Sequence, residues 1–371
     1  MLIWLPALLI LLAYGALMLW YRRAWIRIPE FAASNTQPAA TVTVLVPVRN
    51  EAAHIGRLLQ CLLQQDYPAH LRQIIVIDDA SEDNTREIVQ SFDGVELIAL
   101  DNKVTRSHKK RAIEAGLALA RGQWIVTTDG DCEMGPQWLS CIMNFQQQTQ
   151  SCYVAAPVVM NSNGSFLQSF QQMDFAVLQG VTAVSVHSRL HAMSNGANQA
   201  YAREAFDAVN GFENIDHIAS GDDMLLLQKI NRRFPRQVGW LHSPEAIVRT
   251  APAFSWRAFF NQRIRWASKA RHYTEGPIFF VMLLVYLVNL SFPFLLVASL
   301  WNAWFLLAAL LLWLGKTLLE WPFVFPVFRF FGLRFGFLSF FLFQPFHMLY
   351  TVLSGFLGLI GRYEWKGRMA R

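Results

Sequence analysis

From Pro277 to about Ile360 the chain is almost continuously apolar, and this limits the possible folds more than any other feature. A backbone in lipid must satisfy its own N–H and C=O groups, so such a run has to be helical. Ile278 to Leu300 and Trp301 to about Leu319 each have the length of one crossing. Trp321 to Arg334 is aromatic, Pro-broken and basic, and reads as an interfacial segment. Gly336 to Ile360 is long enough to cross, although Pro345 and His347 interrupt it. Lys316 and Glu320 lie near predicted helix ends, where long charged side chains snorkel outward.

A second apolar stretch opens the chain. Residues 1–20 carry no charge and Arg22, Arg23 and Arg27 follow, which predicts a retained anchor over residues 1–21 with its C-terminal side in the cytoplasm. Together with the later segments this makes four crossings and leaves the basic tail at 361–371 outside, against the positive-inside rule. Either the last segment is re-entrant or the tail departs from the rule. Hydrophobic residues make up 54% of the chain and charged residues only 16%, too apolar for an ordinary soluble protein. The net charge of +6 is explained by basic residues at membrane edges, where anionic lipid head groups attract them. No aromatic-basic platform or helix-turn-helix pattern accompanies that charge, so nucleic acid is not an expected partner. The four cysteines show no Cys-x-x-Cys spacing and read as reduced thiols.

Between these segments Thr41 to Tyr273 has the composition of a soluble α/β domain. Thr41 to Pro47 is an apolar, β-branched run of the kind buried on both faces of a sheet. Helical spacing follows from Ala52 to Gln65, then a strand at Gln73 to Ile77, a helix from Thr85 to Ser91, a strand at Val95 to Leu100, a helix over Lys109 to Arg121 and a strand at Trp124 to Thr128. This alternation predicts a mostly parallel sheet with helices on both faces and a ligand at the carboxyl ends of its strands.

Acidic residues gather at that edge. The first strand leads into Val48-Arg49-Asn50-Glu51, the second stops on Asp78-Asp79, and the fourth runs into Asp129-Gly130-Asp131. Two hard oxygen ligands on a turn suit Mg²⁺ or Mn²⁺, which proteins usually hold by one or two carboxylates plus substrate phosphates. An isolated Asp-Gly-Asp is also an ordinary turn, and Asp78 could equally cap the helix that follows. There is no Gly-x-Gly-x-x-Gly or Walker loop, so neither a dinucleotide fold nor a phosphate-cradling loop is supported. Further on, Gly221-Asp222-Asp223 opens a helix. Gln262, Arg265 and Trp266 stand at i, i+3 and i+4 and share a face of an amphipathic helix. His242 follows a strand-like segment and could be a third metal ligand, although a lone His there is more often structural.

Taken in order, Val46-Pro47-Val-Arg49-Asn-Glu51, Asp78-Asp79-Ala-Ser81, Lys109, Asp129-Gly-Asp131, Gly196-Ala-Asn198, Gly221-Asp222-Asp223 and Gln262-x-x-Arg265-Trp266 resemble the motifs of membrane-bound family 2 glycosyltransferases. These are inverting hexosyltransferases of the GT-A (nucleotide-diphospho-sugar transferase) fold, related to cellulose, chitin and hyaluronan synthases and to ceramide-type glucosyltransferases. The resemblance implies a cytoplasmic catalytic domain over 41–253, an interfacial helix over 254–275, a transmembrane and interfacial region over 277–360, and residence in a bacterial inner membrane. It further implies that Asp79 accepts a hydrogen bond from the nucleobase and that Lys109 reaches the diphosphate. The family usually has Gly where His108 stands, which leaves Lys110 as the other choice. Asp129 and Asp131 would hold Mg²⁺ or Mn²⁺, and Asp223 would be the general base beside Asp222, where the family has Glu-Asp. Pro47, Arg49, Glu51, Gly196, Asn198, Gln262, Arg265 and Trp266 would complete the substrate site. The implied donor is a nucleotide-diphospho-sugar, with a UDP-sugar expected, and the implied acceptor is a lipid, lipid-linked or glycan hydroxyl. Rival readings are a processive polysaccharide synthase, a polyprenyl-phosphate transferase, which needs no general base, and a membrane scaffold that only binds nucleotide-sugar.

Overall fold

The computed structural model of the chain describes residues 4–32, 39–101, 108–190, 192–218, 221–268, 276–360, 363–365 and 368–370, with side chains between Leu9 and Leu359. Most of the linker expected at 32–40, the end of the expected interfacial helix (269–275) and the side chains of the basic tail lie outside the described residues. In chain order the elements begin with α1 (Trp4–Arg27), β1 (Val42–Val48), α2 (Ile55–Leu63), β2 (Arg72–Asp79), α3 (Thr85–Gln90), β3 (Glu96–Leu100), α4 (His108–Leu119) and β4 (Trp124–Thr127). The middle of the chain forms β5 (Cys132–Glu133), α5 (Trp138–Thr149), β6 (Tyr153–Ala155), β7 (Val158–Met160), α6 (Phe166–His187), β8 (Gln199–Ala202), α7 (Arg203–Asp207) and α8 (Met224–Arg233). The remainder is β9 (Val238–Trp240), β10 (Val248–Thr250), α9 (Trp256–Ser268), α10 (Gly276–Ala298), α11 (Trp304–Phe330), α12 (Phe337–Ile360) and the paired strands β11 (Tyr363–Trp365) and β12 (Arg368–Ala370). Two compact units result: one takes Met1–Ile28, Ser162–Val184 and Ala253–Tyr363, and the other takes Pro29–Asn161, Ser185–Pro252 and Glu364–Arg371.

The second of these units is the α/β domain. Its main sheet has the order β3-β2-β1-β4-β8-β6-β9, and β1 pairs in parallel with both β2 and β4. Continuous burial along β1 (Val42, Val44, Leu45, Val46 and Val48) and β2 (Ile74 to Ile77) explains why these runs lack polar alternation: both faces are covered. Strands β8 and β6 are antiparallel to each other, and β8 is antiparallel to β4, so the sheet is mixed beyond β4. A smaller sheet has the order β5-β10-β7. From β1 the chain builds outward through β2 and β3, then returns to place β4 on the other side of β1. The carboxyl ends of β1 and β4 therefore form a topological switch point, where open α/β sheets bind ligands.

The other unit is helical. Among the described residues three helices are long and apolar enough to cross a membrane: Gly276–Ala298, Trp304–Phe330 and Phe337–Leu359. The expected N-terminal segment is indeed a helix, Trp4–Arg27, but is not one of those three. Two sequence expectations fail here. The interfacial segment expected from Trp321 onward is instead the second half of α11, which runs through Pro322 and Pro326 without a break. Interior prolines remove helix hydrogen bonds, but packing offsets the loss. Phe323, Val324, Val327 and Phe328 are all buried, Tyr21 and Trp25 of α1 pack on Phe323, and a Cβ on Gly180 of α6 would come within 2.7 Å of Val327.

Snorkelling of Lys316 and Glu320 is likewise overturned. Both are buried, with Lys316 Nζ 2.6 Å from Glu320 Oε1 and donating to Gln344 Oε1 at 2.7 Å. Glu320 also accepts from the Tyr14 hydroxyl and from the Gln344 amide. The i, i+4 pair points inward and joins α1, α11 and α12, because polar groups among apolar helices are stabilised by partners on neighbouring helices.

Candidate active site

The site is assembled from loops at the carboxyl edge of the main sheet. Leaving β4, Thr128 N–H still donates to Leu45 C=O (3.2 Å), and Cys132 N–H then donates to Asp129 C=O (3.2 Å), closing a turn around Gly130. Gly130 does not have the left-handed backbone that a tight turn often demands. Its lack of a side chain matters for another reason: a Cβ there would lie 2.9 Å from both Val48 Cγ1 and Glu51 Cγ. Glycine thus lets the Asp129–Asp131 turn press against the loop leaving β1.

That loop is itself laced to the one leaving β2. Asn50 and Ala80 both have positive φ, 53° and 54°, which costs non-glycine residues roughly 1–2 kcal/mol each. The cost is offset by cross-loop bonds. Arg49 Nη1 donates to the carbonyls of Asp79 (2.8 Å) and Ala80 (2.7 Å), and Arg49 Nη2 pairs with Glu82 at 2.9 Å. Asn50 Oδ1 accepts from Glu82 N–H, Asn50 N–H donates to Ser81 Oγ, and Glu51 N–H donates to Thr85 Oγ1. The Arg49 fork is thus engaged in shaping the Asp79 loop. Asp78 is fully buried and accepts from Ser81 N–H and from Arg86 Nε of α3, a structural role; it does not cap that helix, whose N-cap is Asn84. Asp79 is buried at the strand end with His108 Nδ1 3.2 Å from its Oδ2.

At the centre stands Lys109 in the first turn of α4. Its Nζ donates to Asp129 Oδ1 at 2.6 Å and lies 3.1 Å from Asp222 Oδ2. Burial alone would make the ammonium easier to deprotonate, but Asp129, Asp222 and Asp223 outweigh burial and hold it charged well above its ordinary range. The neighbouring Lys110 donates to the carbonyls of Ile215 (2.6 Å) and Ile218 (2.7 Å), so Lys109 is the lysine that meets the acids.

Gly221, at φ 85°, turns the chain into α8. Asp223 is the N-cap of that helix: Oδ1 accepts from Met224 N–H at 2.7 Å, and Oδ2 accepts from Gly196 N–H at 3.3 Å. Gly196 also leaves room for the ion pair, since a Cβ on it would be 2.8 Å from Lys109 Nζ and 3.0 Å from Asp222 Oδ2. Two residues on, Asn198 is fully buried, accepts from Trp138 Nε1 at 2.9 Å and donates to the carbonyls of Pro157 and Ala246 at 2.8 Å each. Every polar atom of that side chain is committed to the scaffold.

Among the described residues no group of three or more His, Cys, Asp or Glu side chains is placed to hold a metal ion. His242 is buried after β9 and its carbonyl accepts from Phe31 N–H. What the β4 turn offers is two carboxylates, with Asp131 Oδ2 accepting from Thr250 Oγ1 at 3.1 Å. Cys132 adds no soft ligand, because burial first, and then Asp131 and Asp129, push its thiol well above its ordinary range. A hard-oxygen pair without thiolate or imidazole fits a hard divalent cation whose remaining ligands come from phosphates and water.

The remaining expected site residues sit on α9 in the helical unit. Gln262 Oε1 lies 3.4 Å from Arg263 Nη1, Trp266 packs on Phe175, and Arg265 C=O accepts from Ser268 Oγ. Sequence reasoning passed over Arg263, which is buried, lies over the Trp266 ring at 4.2 Å and pairs with Asp174 of α6 at 3.0 Å. A signal was available: Asp174 is the one charged side chain between Phe166 and Val186.

The fold and its acid-lined strand ends define a GT-A-like transferase domain. Residues 43–209 match the family "Glycosyl transferase family 2", and the chain therefore carries a family 2 glycosyltransferase domain, which is a transferase enzyme domain. Its relatives include the probable glycosyltransferase YdaM of Bacillus subtilis, 25% identical over 247 residues that make up 63% of this chain and 56% of that protein. The beta-monoglucosyldiacylglycerol synthase of Synechocystis sp. is 25% identical over 242 residues, 63% of this chain and 48% of that protein. The chain thus spans about half the length of these curated relatives. Among solved structures, the mannosyltransferase PcManGT from Pyrobaculum calidifontis, in complex with GDP-Man and Mn²⁺, has a TM-score of 0.59 at 19% identity, over 95% of this chain and 98% of that one. That likeness is one of fold.

Proposed function

We propose that this protein is a membrane-bound, inverting glycosyltransferase that moves a sugar from a nucleotide-diphospho-sugar, a UDP-sugar in our reading, to a hydroxyl of a lipid or lipid-linked acceptor. The observation that carries this reading is the meeting of Lys109 with Asp129 and Asp222, beside Asp223, at the switch point of a family 2 domain. A charge-rich, partly buried cluster holding one cation among several carboxylates suits a diphosphate with its counter-cation. Asp79 at the end of β2 is our candidate for the nucleobase, Lys109 for the diphosphate, and Asp129 with Asp131 for Mg²⁺ or Mn²⁺. Such an ion, when bound, neutralises charge on the departing nucleoside diphosphate. The α1 helix would be a fourth membrane anchor, and Gln262, Arg265 and Trp266 would serve the diphosphate and acceptor.

In this mechanism Asp223 takes the proton of the acceptor hydroxyl as its oxygen bonds to the anomeric carbon. The bond from that carbon to the phosphate oxygen breaks, and its electron pair leaves with the nucleoside diphosphate. Two backbone N–H donors, from Met224 and Gly196, hold the Asp223 carboxylate in one orientation, and positioning of a base is a large part of its effect. We favour a lipid acceptor because the three helices long enough to cross a membrane among the described residues, with α1 as a fourth, are few for a secretion channel and the Synechocystis relative is named for a glycolipid product. A Staphylococcus epidermidis relative matched over the same share of the chain is named for a polymer, which the assay below distinguishes.

The test has two parts. Native membranes carrying the protein are incubated with a panel of radiolabelled UDP- and GDP-sugars, and lipid products are separated from polymer. Asp223→Asn is then compared with wild type. We expect a lipid-soluble product, lost in Asp223→Asn by at least a hundredfold, with nucleotide affinity within a few-fold. Loss of nucleotide binding in that variant would instead make Asp223 a binding or folding residue, and persistent activity would remove it as the base.

A further inference from the structure

The helical unit contains a buried ionic hub that the site as described does not use. Asp174 of α6, only 9% exposed, collects donors from two other helices. Arg263 Nη2 of α9 lies 3.0 Å from Oδ2, while His347 Nδ1 and the Tyr350 hydroxyl of α12 lie 3.2 Å and 2.6 Å from Oδ1. Burial would favour the protonated acid, but Arg263, then His347 and Tyr350, outweigh it and hold the carboxyl below its ordinary range. Arg263 is 4% exposed on its side chain and stacks over two rings, Trp266 at 4.2 Å and Phe259 at 5.0 Å. Phe175, the residue after Asp174, packs on Trp266 with centroids 5.7 Å apart. Adjacent positions of α6 therefore touch Trp266 twice, once directly through Phe175 and once through Arg263.

A guanidinium this buried is stable only while it is paired; without Asp174 it would move toward water or recruit another anion, and leave the indole face. We propose that Asp174 is a positioning residue which, through Arg263, fixes the indole of Trp266 in the pose needed to receive the acceptor. This rests on the reading of Trp266 as the acceptor-facing residue of the proposed transferase. The competing idea is that the hub merely staples α6, α9 and α12 together. In that case its three donors are interchangeable. In ours, Arg263 is the one that matters, because it alone connects Asp174 to the Trp266 ring.

The experiment uses the whole chain in nanodiscs, labelled with 5-fluorotryptophan. The Trp266 resonance is assigned among the 13 tryptophans by its absence in Trp266→Phe. Kinetics use the donor that gives lipid product in the panel assay, with dioctanoylglycerol as the acceptor probe. Asp174→Asn should shift or broaden the Trp266 resonance, raise the acceptor KM at least tenfold, and leave kcat and nucleotide affinity within threefold. Asp174→Glu should restore part of the effect. His347→Gln and Tyr350→Phe, which keep the Asp174–Arg263 pair, should leave the Trp266 resonance in place. If Asp174→Asn folds poorly, the Asp174→Asn/Arg263→Gln pair removes the unpaired charge and is expected to give the same two readouts. An unmoved Trp266 resonance, or one displaced as far by His347→Gln, overturns the proposal. A displaced resonance with unchanged acceptor KM overturns the acceptor reading of Trp266 and with it the functional half of the proposal, while donor transfer itself still stands.

Discussion

Gly196→Ala is the most economical perturbation of the acidic cluster, because it adds one carbon and removes no functional group. Gly196 has no left-handed backbone that alanine would strain. The new Cβ would lie 2.8 Å from Lys109 Nζ and 3.0 Å from Asp222 Oδ2, whereas ordinary contact begins at 3.4 Å. Lys109 is the end of a flexible chain and can yield, so the protein should fold, with Nζ moved by about 0.6 Å or more. At an effective dielectric of 20, stretching the 3.1 Å Lys109–Asp222 pair by that distance weakens it by about 1 kcal/mol, roughly fivefold in an equilibrium constant. Gly196 N–H also donates to Asp223, so the carboxylate proposed as base is disturbed as well. We expect a melting temperature within a few degrees of wild type, nucleotide affinity reduced about fivefold and transfer reduced further. Titration calorimetry with nucleoside diphosphate and Mn²⁺, together with initial rates, measures both. Gly135→Ala is the control: it too has an ordinary backbone, and a Cβ there meets nothing within 4 Å. Wild-type binding and turnover in Gly196→Ala would refute the idea that the Lys109 geometry matters to the donor.

Further outcomes follow from the same geometry. Asp129→Asn and Asp131→Asn should each abolish transfer, since an amide is a poor ligand for a hard cation, and full wild-type activity in excess EDTA would contradict the metal reading. Asn198→Ala should act on stability, costing at least about 3 kcal/mol because three buried partners lose their hydrogen bonds; a thermal melt checks it, and an unchanged melting temperature would count against the scaffold role. Asp174, whose folded-state proton affinity is lowered, contributes stability above the unfolded carboxyl value of about 4 that is lost as pH falls through its folded value. The stability gap between wild type and Asp174→Asn should therefore be wide at pH 6 and narrow below pH 4, as chemical denaturation at both pH values would reveal.

The carboxyl-edge acids were readable in sequence because each ends a strongly patterned strand. Asp79 closes β2, and Asp129 follows β4, so local period and chain punctuation located them. The need for glycine at 130 was not readable in the same way, since its backbone is ordinary and only the approach of Val48 and Glu51 demands it. The choice between Lys109 and Lys110 could not be made from spacing, as neighbouring residues on a helix leave in directions about 100° apart and only the surroundings tell which one meets the acids. Asn198 was a motif member whose buried bonds turn out to serve the scaffold. The lone charge of Asp174 in an apolar helix was a signal, but Arg263 is 89 residues away and only the fold shows that the two are partners.

By itself the sequence determined the division into apolar helices and an α/β domain, the parallel order of the first strands, and the family to which that domain belongs. The first two follow from short-range periodicity, which records what each residue's immediate environment must be, and the family from the resemblance of the motifs taken in order. Tertiary structure alone decided that α11 runs on through Pro322 and Pro326, that Lys316 and Glu320 turn inward, and that Lys109 meets Asp129 and Asp222. Each is a balance between a local preference and contacts made across the fold. A proline bend, a buried charge or a crowded ion pair is unfavourable alone and becomes stable only when a partner distant in the chain arrives to offset it.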